Sequence, residues 1–256
     1  MHAVLTTFAD GRLFGMRHGD GAARVLALHG WARDHTDWTA VLGGLEAVAL
    51  DLPGFGATPA PPTSWGSARY ASEVAPTISD LAPPVVVVGH SFGGRVALHL
   101  ASAFPDLVGA LVLSGVPNLA PRSDDGSPAP ALAYRAVRWL HQRGVIGDER
   151  MEAERRRRGS ADYRAARGVM RDVLVTAVNE HYDDLAGQLS CPVELIWGAA
   201  DTAAPLSHAE WAADHIPGAR LTVLDGVGHL TPTDAPEALR SAIDRRLAAL
   251  PAVAGP

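Results

Sequence analysis

Three residues in this chain could together perform nucleophilic acyl transfer: Ser91, Asp201 and His229. A serine hydroxyl is a weak nucleophile at neutral pH. It needs an imidazole to take its proton, and the imidazole needs a carboxylate to fix its tautomer and steady its charged form. The reaction also needs N–H donors aimed at the oxyanion that develops. Ser91 sits in Gly89-His90-Ser91-Phe92-Gly93, which fits G-x-S-x-G. Val85-Val86-Val87-Val88 precedes it, and an apolar helical pattern runs from Phe92 to about Phe104. Strand, tight turn and helix are the context in which this motif lifts a serine hydroxyl above a sheet. Asp201 alone would read as a surface-turn acid, and His229 alone as a loop histidine. Each, however, follows its own strand pattern, in the order Ser91, Asp201, His229.

The elements that must position them can be read along the chain. Ala3–Phe8 and Arg12–Met16 form a hairpin about Asp10-Gly11. Arg24–Leu28, Ala47–Leu50, Val85–Val88, Leu111–Gly115, Pro192–Gly198 and Arg220–Leu224 read as short buried strands. Asp37 is the expected cap of a helix from Trp38 to Leu45, and Ser64 begins a helical stretch reaching Leu81. Ser207 is the expected cap of a helix ending at Ile216, and Asp234-Ala235-Pro236-Glu237 opens the last helix. Between Pro117 and Leu189 there is no strand signal. Leu132, Ala133, Ala136, Val137 and Leu140 form one apolar stripe, and Met170, Val173, Leu174, Ala177 and Val178 a second. Alternating strands and helices predict an α/β architecture with a mostly parallel sheet covered on both faces.

Composition narrows the function classes. The 256 residues, 47% of them hydrophobic, suffice for one large core with a small insertion. The single Cys191 excludes an intrachain disulfide. The eleven histidines show no H-x-H or H-x-x-x-H spacing, so no metal is expected. Without G-x-G-x-x-G or a P-loop, no nucleotide cofactor is expected either. The N-terminus lacks a basic region followed by an apolar run, and no apolar run approaches 20 residues. A cytoplasmic protein with no membrane partner is the expectation. A net charge of −6 argues against nucleic acid. Residues 131–171 nonetheless hold eleven arginines against five acids, a net of +6, with Arg155-Arg156-Arg157-Arg158 at their centre.

These residues resemble the α/β-hydrolase superfamily over nearly the whole chain outside 118–188. Leu28-His29-Gly30-Trp31 resembles the family's His-Gly segment after the third strand, and Asp51-Leu52-Pro53-Gly54-Phe55-Gly56 its segment after the fourth. Trp197–Asp201 and Gly228-His229 resemble its acid and base segments. The resemblance implies an eight-stranded, mostly parallel sheet with helices on both faces. Residues 1–117 and 189–256 would form the core, and 118–188 a helical cap inserted after the sixth strand. It implies a serine esterase acting on a small-molecule ester or thioester through a Ser91 acyl-enzyme. The backbone N–H groups of Trp31 and Phe92 would form the oxyanion hole. His29, His90, Arg95, Tyr134 and Trp139 are the candidate substrate contacts.

The arginine-rich cap suggests an anionic or acyl-carrier-linked substrate, and the segments around His29 and Asp51 resemble carboxylesterases that act on carrier-bound methyl esters. A rival reading is a lyase, because Gly93-Gly94-Arg95-Val96-Ala97 resembles the segment after the nucleophile in the pyruvate-eliminating enzyme of menaquinone synthesis. C–C bond hydrolysis uses the same triad, and receptor-like relatives of the fold bind ligands without turnover.

Overall fold

The computed structural model describes residues 4–119, 139–141, 143–147, 149–153 and 160–251. Eight strands form one sheet: β1 (Val4–Phe8), β2 (Leu13–His18), β3 (Val25–Leu28), β4 (Ala47–Asp51), β5 (Val85–His90), β6 (Val108–Ser114), β7 (Val193–Gly198) and β8 (Arg220–Leu224). Their spatial order is β1-β2-β4-β3-β5-β6-β7-β8. β1 and β2, and β2 and β4, pair antiparallel; every other pair is parallel.

The four consecutive valines of β5 show why the sheet is buried on both sides. Val85 and Val87 enter the core shared with Leu26, Leu50 and Leu111, while Val86 and Val88 enter the opposite layer with Trp38, Val41 and Ile243. Strand residues alternate between faces, so only a run of apolar residues satisfies two covering layers at once. On the first face lie α2 (Ser67–Ser79) and α3 (Phe92–Ala103). On the second lie α1 (Thr39–Leu42) and the long C-terminal helix named below.

Between β6 and β7 the described helices are α4 (Ala161–Ala165), α5 (Val169–Asn179) and α6 (Asp183–Ala186). No strand occurs among the described residues there. The second apolar stripe falls on α5, where Val173, Leu174 and Ala177 are buried, while Val178 is half exposed. Of the first stripe only Leu140 lies within the described residues. The chain continues through α7 (Leu206–His215), α8 (Thr231–Asp234) and α9 (Pro236–Ala249). No described helix is long and apolar enough to cross a membrane.

Four expected helix starts differ. α2 begins at Ser67 after Gly66, not at Ser64. Asp34, not Asp37, caps the turn before α1: its side chain accepts from the Thr36 N–H at 2.9 Å, and a 3-10 turn (His35–Trp38) follows. Asp37 is instead held by the Arg33 guanidinium. α7 starts after Pro205 with no side-chain cap, and α9 after Ala235 with Pro236 in its first turn. A short helix, α8, absorbs Asp234. β7 also carries a fully buried acid, Glu194, paired with Arg245 at 2.8 Å and Arg246 at 2.5 Å from α9. Burial would raise its pKa, but the two guanidinium groups outweigh this and hold it below the usual range.

Candidate active site

The turn that carries Ser91 is built from missing side chains. Parallel pairing brings His90 level with Ser114 at the carboxyl end of β5, and Ser91 follows at once. Its N–H donates to the Ser114 carbonyl at 2.9 Å. Ser91 has φ 50° and ψ −110°, a strained conformation for a residue with a side chain. A β-carbon on Gly89 would lie 2.7 Å from the Gly93 carbonyl oxygen, and one on Gly93 would collide with the Leu28 carbonyl. Both positions therefore let strand and helix close on the turn.

Ser91, His229 and Asp201 meet in the order the chemistry requires. The Ser91 Oγ lies 3.1 Å from His229 Nε2, and His229 Nδ1 lies 2.8 Å from Asp201 Oδ2. A carboxylate only accepts, so Nδ1 carries the proton and Nε2 is left to take one from serine. The other Asp201 oxygen accepts from the Ala203 and Ala204 N–H groups at 2.9 and 2.8 Å. Burial pushes the Asp201 pKa up, but His229 and these two donors outweigh it, so the acid stays below the usual carboxylate range.

A cavity of about 320 Å³ opens over Ser91. Trp31, Phe92, Leu174, Val178 and Leu230 supply apolar wall. The backbone N–H groups of Trp31 and Phe92 have no acceptor among the described residues. The Trp31 ring is fixed edge-on between Phe55 and Phe92, at 5.0 and 5.5 Å. Tyr70 supports Phe92 at 5.0 Å and donates its hydroxyl to the Pro53 carbonyl at 3.0 Å.

The expected substrate contacts separate into groups. His90 and Arg95 line the cavity. His90 is almost wholly buried, its Nδ1 donating to Ser114 at 3.1 Å, and its ring packs 4.8 Å from the His229 ring. Burial, reinforced by repulsion from His229, lowers its pKa to about 3, so it stays neutral beside His229. His29 does not line the cavity. It is fully buried, donates from Nδ1 to the Gly30 carbonyl at 2.7 Å and accepts the Leu52 N–H on Nε2 at 3.0 Å. Both ring nitrogens serve the backbone. Trp139 is half exposed beneath the Arg143 guanidinium and does not line the cavity. Tyr134 and Arg155–Arg158 lie outside the described residues.

Several neighbours went unread in the sequence: Gly115, whose missing β-carbon makes room for both imidazoles, and Arg33, Asp162 and Leu230 on the cavity wall. Gly115 directly after a strand was the one available signal. Asp34, His35 and Asp51 bring metal-capable atoms within 4.8 Å of one another. Asp51 there accepts from the His35 and Ala57 backbone N–H groups, both at 2.8 Å, and so shapes the loop after β4.

The model of the alpha/beta hydrolase family matches residues 25–242, and the chain belongs to that family. Esterases are among the proteins it resembles. It is 31% identical over 233 residues to the pimeloyl-[acyl-carrier protein] methyl ester esterase of Aromatoleum aromaticum, covering 80% of this chain and 90% of that one. It is 29% identical over 237 residues to the protein of the same name from Neisseria meningitidis, covering 82% and 88%. A solved esterase from Thermogutta terrifontis superposes with a TM-score of 0.65 at 23% identity, over 97% of this chain and 99% of the other.

Proposed function

We propose that the protein hydrolyses a carboxylic ester through an acyl-enzyme on Ser91. The observation that carries this reading is the continuous relay Ser91 Oγ, His229 Nε2, His229 Nδ1 and Asp201 Oδ2, at 3.1 and 2.8 Å. His229 takes the serine proton as Oγ bonds to the carbonyl carbon. The oxyanion forms beside the Trp31 and Phe92 N–H groups, each a donor of a kind worth roughly 10²–10³ in rate. Collapse expels the alcohol, which leaves with the proton from His229. Water then repeats the sequence on the acyl-enzyme, releasing the acid and restoring Ser91. Asp201 stays ionised throughout and steadies the imidazolium.

Residues 118–188 are proposed to form a cap over this site. Leu174, Ala177 and Val178 of α5 already line the cavity, which supports that assignment. The names of the relatives support an ester as the scissile group and make a carrier-linked methyl ester or a thioester a substrate to test.

Fluorophosphonate labelling with intact mass, run beside p-nitrophenyl esters from acetate to decanoate, tests the reading. A single adduct, lost in Ser91→Ala, and turnover peaking at one chain length are expected. Labelling without turnover of any ester would overturn ester hydrolysis while leaving the nucleophile. Turnover retained in Ser91→Ala would overturn the mechanism.

A further inference from the structure

Arg95 is the one buried arginine among the described residues, 7% exposed. It stands one turn into α3 from Ser91, its N–H donating to the Ser91 carbonyl at 3.3 Å, and it lines the same cavity. A guanidinium is a fixed cation with five N–H donors. Here Nη1 donates to the Ala177 carbonyl at 2.5 Å, Nε has no partner, and the Tyr182 ring lies 5.7 Å away. Arg95 forms no ion pair among the described residues, whereas Arg33, Arg171 and Arg246 each hold a carboxylate.

Tyr182 and Glu180 both attract Arg95, but burial pushes the Tyr182 phenol up so that it carries no charge at neutral pH, and the Glu180 carboxylate is engaged by the Ser67 N–H and hydroxyl and the Tyr182 hydroxyl. Ala177 belongs to the last turn of α5, whose carbonyl end steadies a cation without neutralising it. Burial of a charge is costly unless it is paired. Elsewhere on the wall, Arg33 is bound by Asp37, and Asp162 is an exposed residue on α4. A cation short of a counter-ion therefore stands one helical turn from the nucleophile, beside walls suited to methylene groups.

We propose that Arg95 receives a carboxylate at the far end of the substrate's acyl chain, so that the preferred substrates are half-esters of dicarboxylic acids. This rests on the ester-hydrolase reading. A carboxylate matches the guanidinium fork and can accept two N–H bonds. A neutral chain of equal length leaves the cation as unpaired as before.

The test compares p-nitrophenyl esters of equal length, from four to eight carbons, ending in a carboxylate or in the uncharged carboxamide. Wild-type protein should favour the carboxylate at least ten-fold in kcat/KM at one length, chiefly through KM. In Arg95→Gln that ratio should fall to near one, and Arg95→Lys should recover part of it. Absence of a preference in wild-type protein would overturn the proposal. So would an equal loss on both esters in Arg95→Gln, which is what a mere tether to Ala177 would give. Binding of both esters to Ser91→Ala, followed by calorimetry, needs neither turnover nor an Arg95 variant. Ten-fold tighter binding of the carboxylate supports the site, and equal binding refutes it. Discrimination by Ser91→Ala, with no ester cleaved by wild-type protein, would sink the hydrolase reading and leave the anion site standing.

Discussion

Replacing Gly115 with alanine should damage catalysis far more than folding. Gly115 has φ +58°, so any side chain there carries a left-handed penalty of about 1–2 kcal/mol. Its added β-carbon would lie 3.0 Å from His229 Cε1 and Nδ1, and 3.0 Å from His90 Cε1. Carbon atoms prefer about 3.5–4.0 Å, so the imidazoles must retreat by roughly 0.5–1 Å. His90 cannot yield easily, because its Nδ1 is held at Ser114. His229 must therefore move, and its Nε2 is only 3.1 Å from Ser91 Oγ. Misplacement by about 1 Å costs on the order of 10²-fold. The expected result in Gly115→Ala is a 10–10²-fold fall in kcat/KM for a p-nitrophenyl ester, with the melting temperature lower by about 2–8 °C. Gly218→Ala is the matched control, since Gly218 has φ +67° and nothing within 4 Å of its absent β-carbon. It should lose comparable stability and keep full activity. Wild-type kcat/KM in Gly115→Ala, measured well below its melting temperature, would refute the argument that this glycine sets the position of His229.

Asp201→Asn should lower kcat by about 10⁴, because the amide oxygen will take the Ala203 and Ala204 N–H groups and turn its NH₂ towards His229, selecting the wrong tautomer. Steady-state kinetics with an unchanged melting curve is the check. His90 links stability to pH. Unfolded, it titrates near 6.5, and folded, near 3, so between these values the unfolded chain binds one extra proton. Its contribution is complete above pH 6.5 and is lost on acidification at about 1.4 kcal/mol per pH unit. Urea unfolding at pH 7.5, 6 and 5 should show a shallower dependence in His90→Phe by that amount; identical slopes would exclude the effect. Glu180→Ala removes the acceptor of the buried Ser67 and Tyr182 hydroxyls and should cost about 1–3 kcal/mol by the same unfolding measurement.

The parts that were legible in the sequence are those where chemistry leaves few choices. Consecutive valines before a G-x-S-x-G turn have few readings other than a two-faced strand entering an elbow, and β5 and α3 fall where that pattern places them. Helix caps were less legible because the deciding contacts are tertiary. Asp34 and Asp37 are equivalent by type, and only the Arg33 side chain, drawn to Asp37, separates them. His29 carries a related ambiguity. A histidine after a strand can face a cleft or a backbone, and the Leu52 N–H that claims its Nε2 comes 23 residues later. Glu194 interrupts an apolar run, and its two partners lie on α9 at the far end of the chain. The cavity wall depends on which way α5 turns its stripe, and periodicity alone shows a stripe without saying what it covers.

Glycines bring Ser91, Asp201 and His229 together across long separations in sequence. Catalytic residues on separate loops can be held to a few tenths of an ångström only if the backbones carrying them approach closely. At Gly198 a β-carbon would collide with the Val227 and Gly228 carbonyls. Its absence lets the Ala200 N–H reach the Val227 carbonyl at 2.9 Å, locking the loop that carries His229 to the turn that carries Asp201. Gly89 does the same for Ser91, and Gly115 clears the space where both imidazoles sit. A glycine closing a strand is thus tied to each side chain of the relay. Those glycines are local sequence features, whereas the side chains that shape the pocket, Leu174, Val178 and Leu230, answer to packing between elements far apart in the chain. The proposed relay is therefore written in short motifs, and the cavity wall in contacts that only the folded protein assembles.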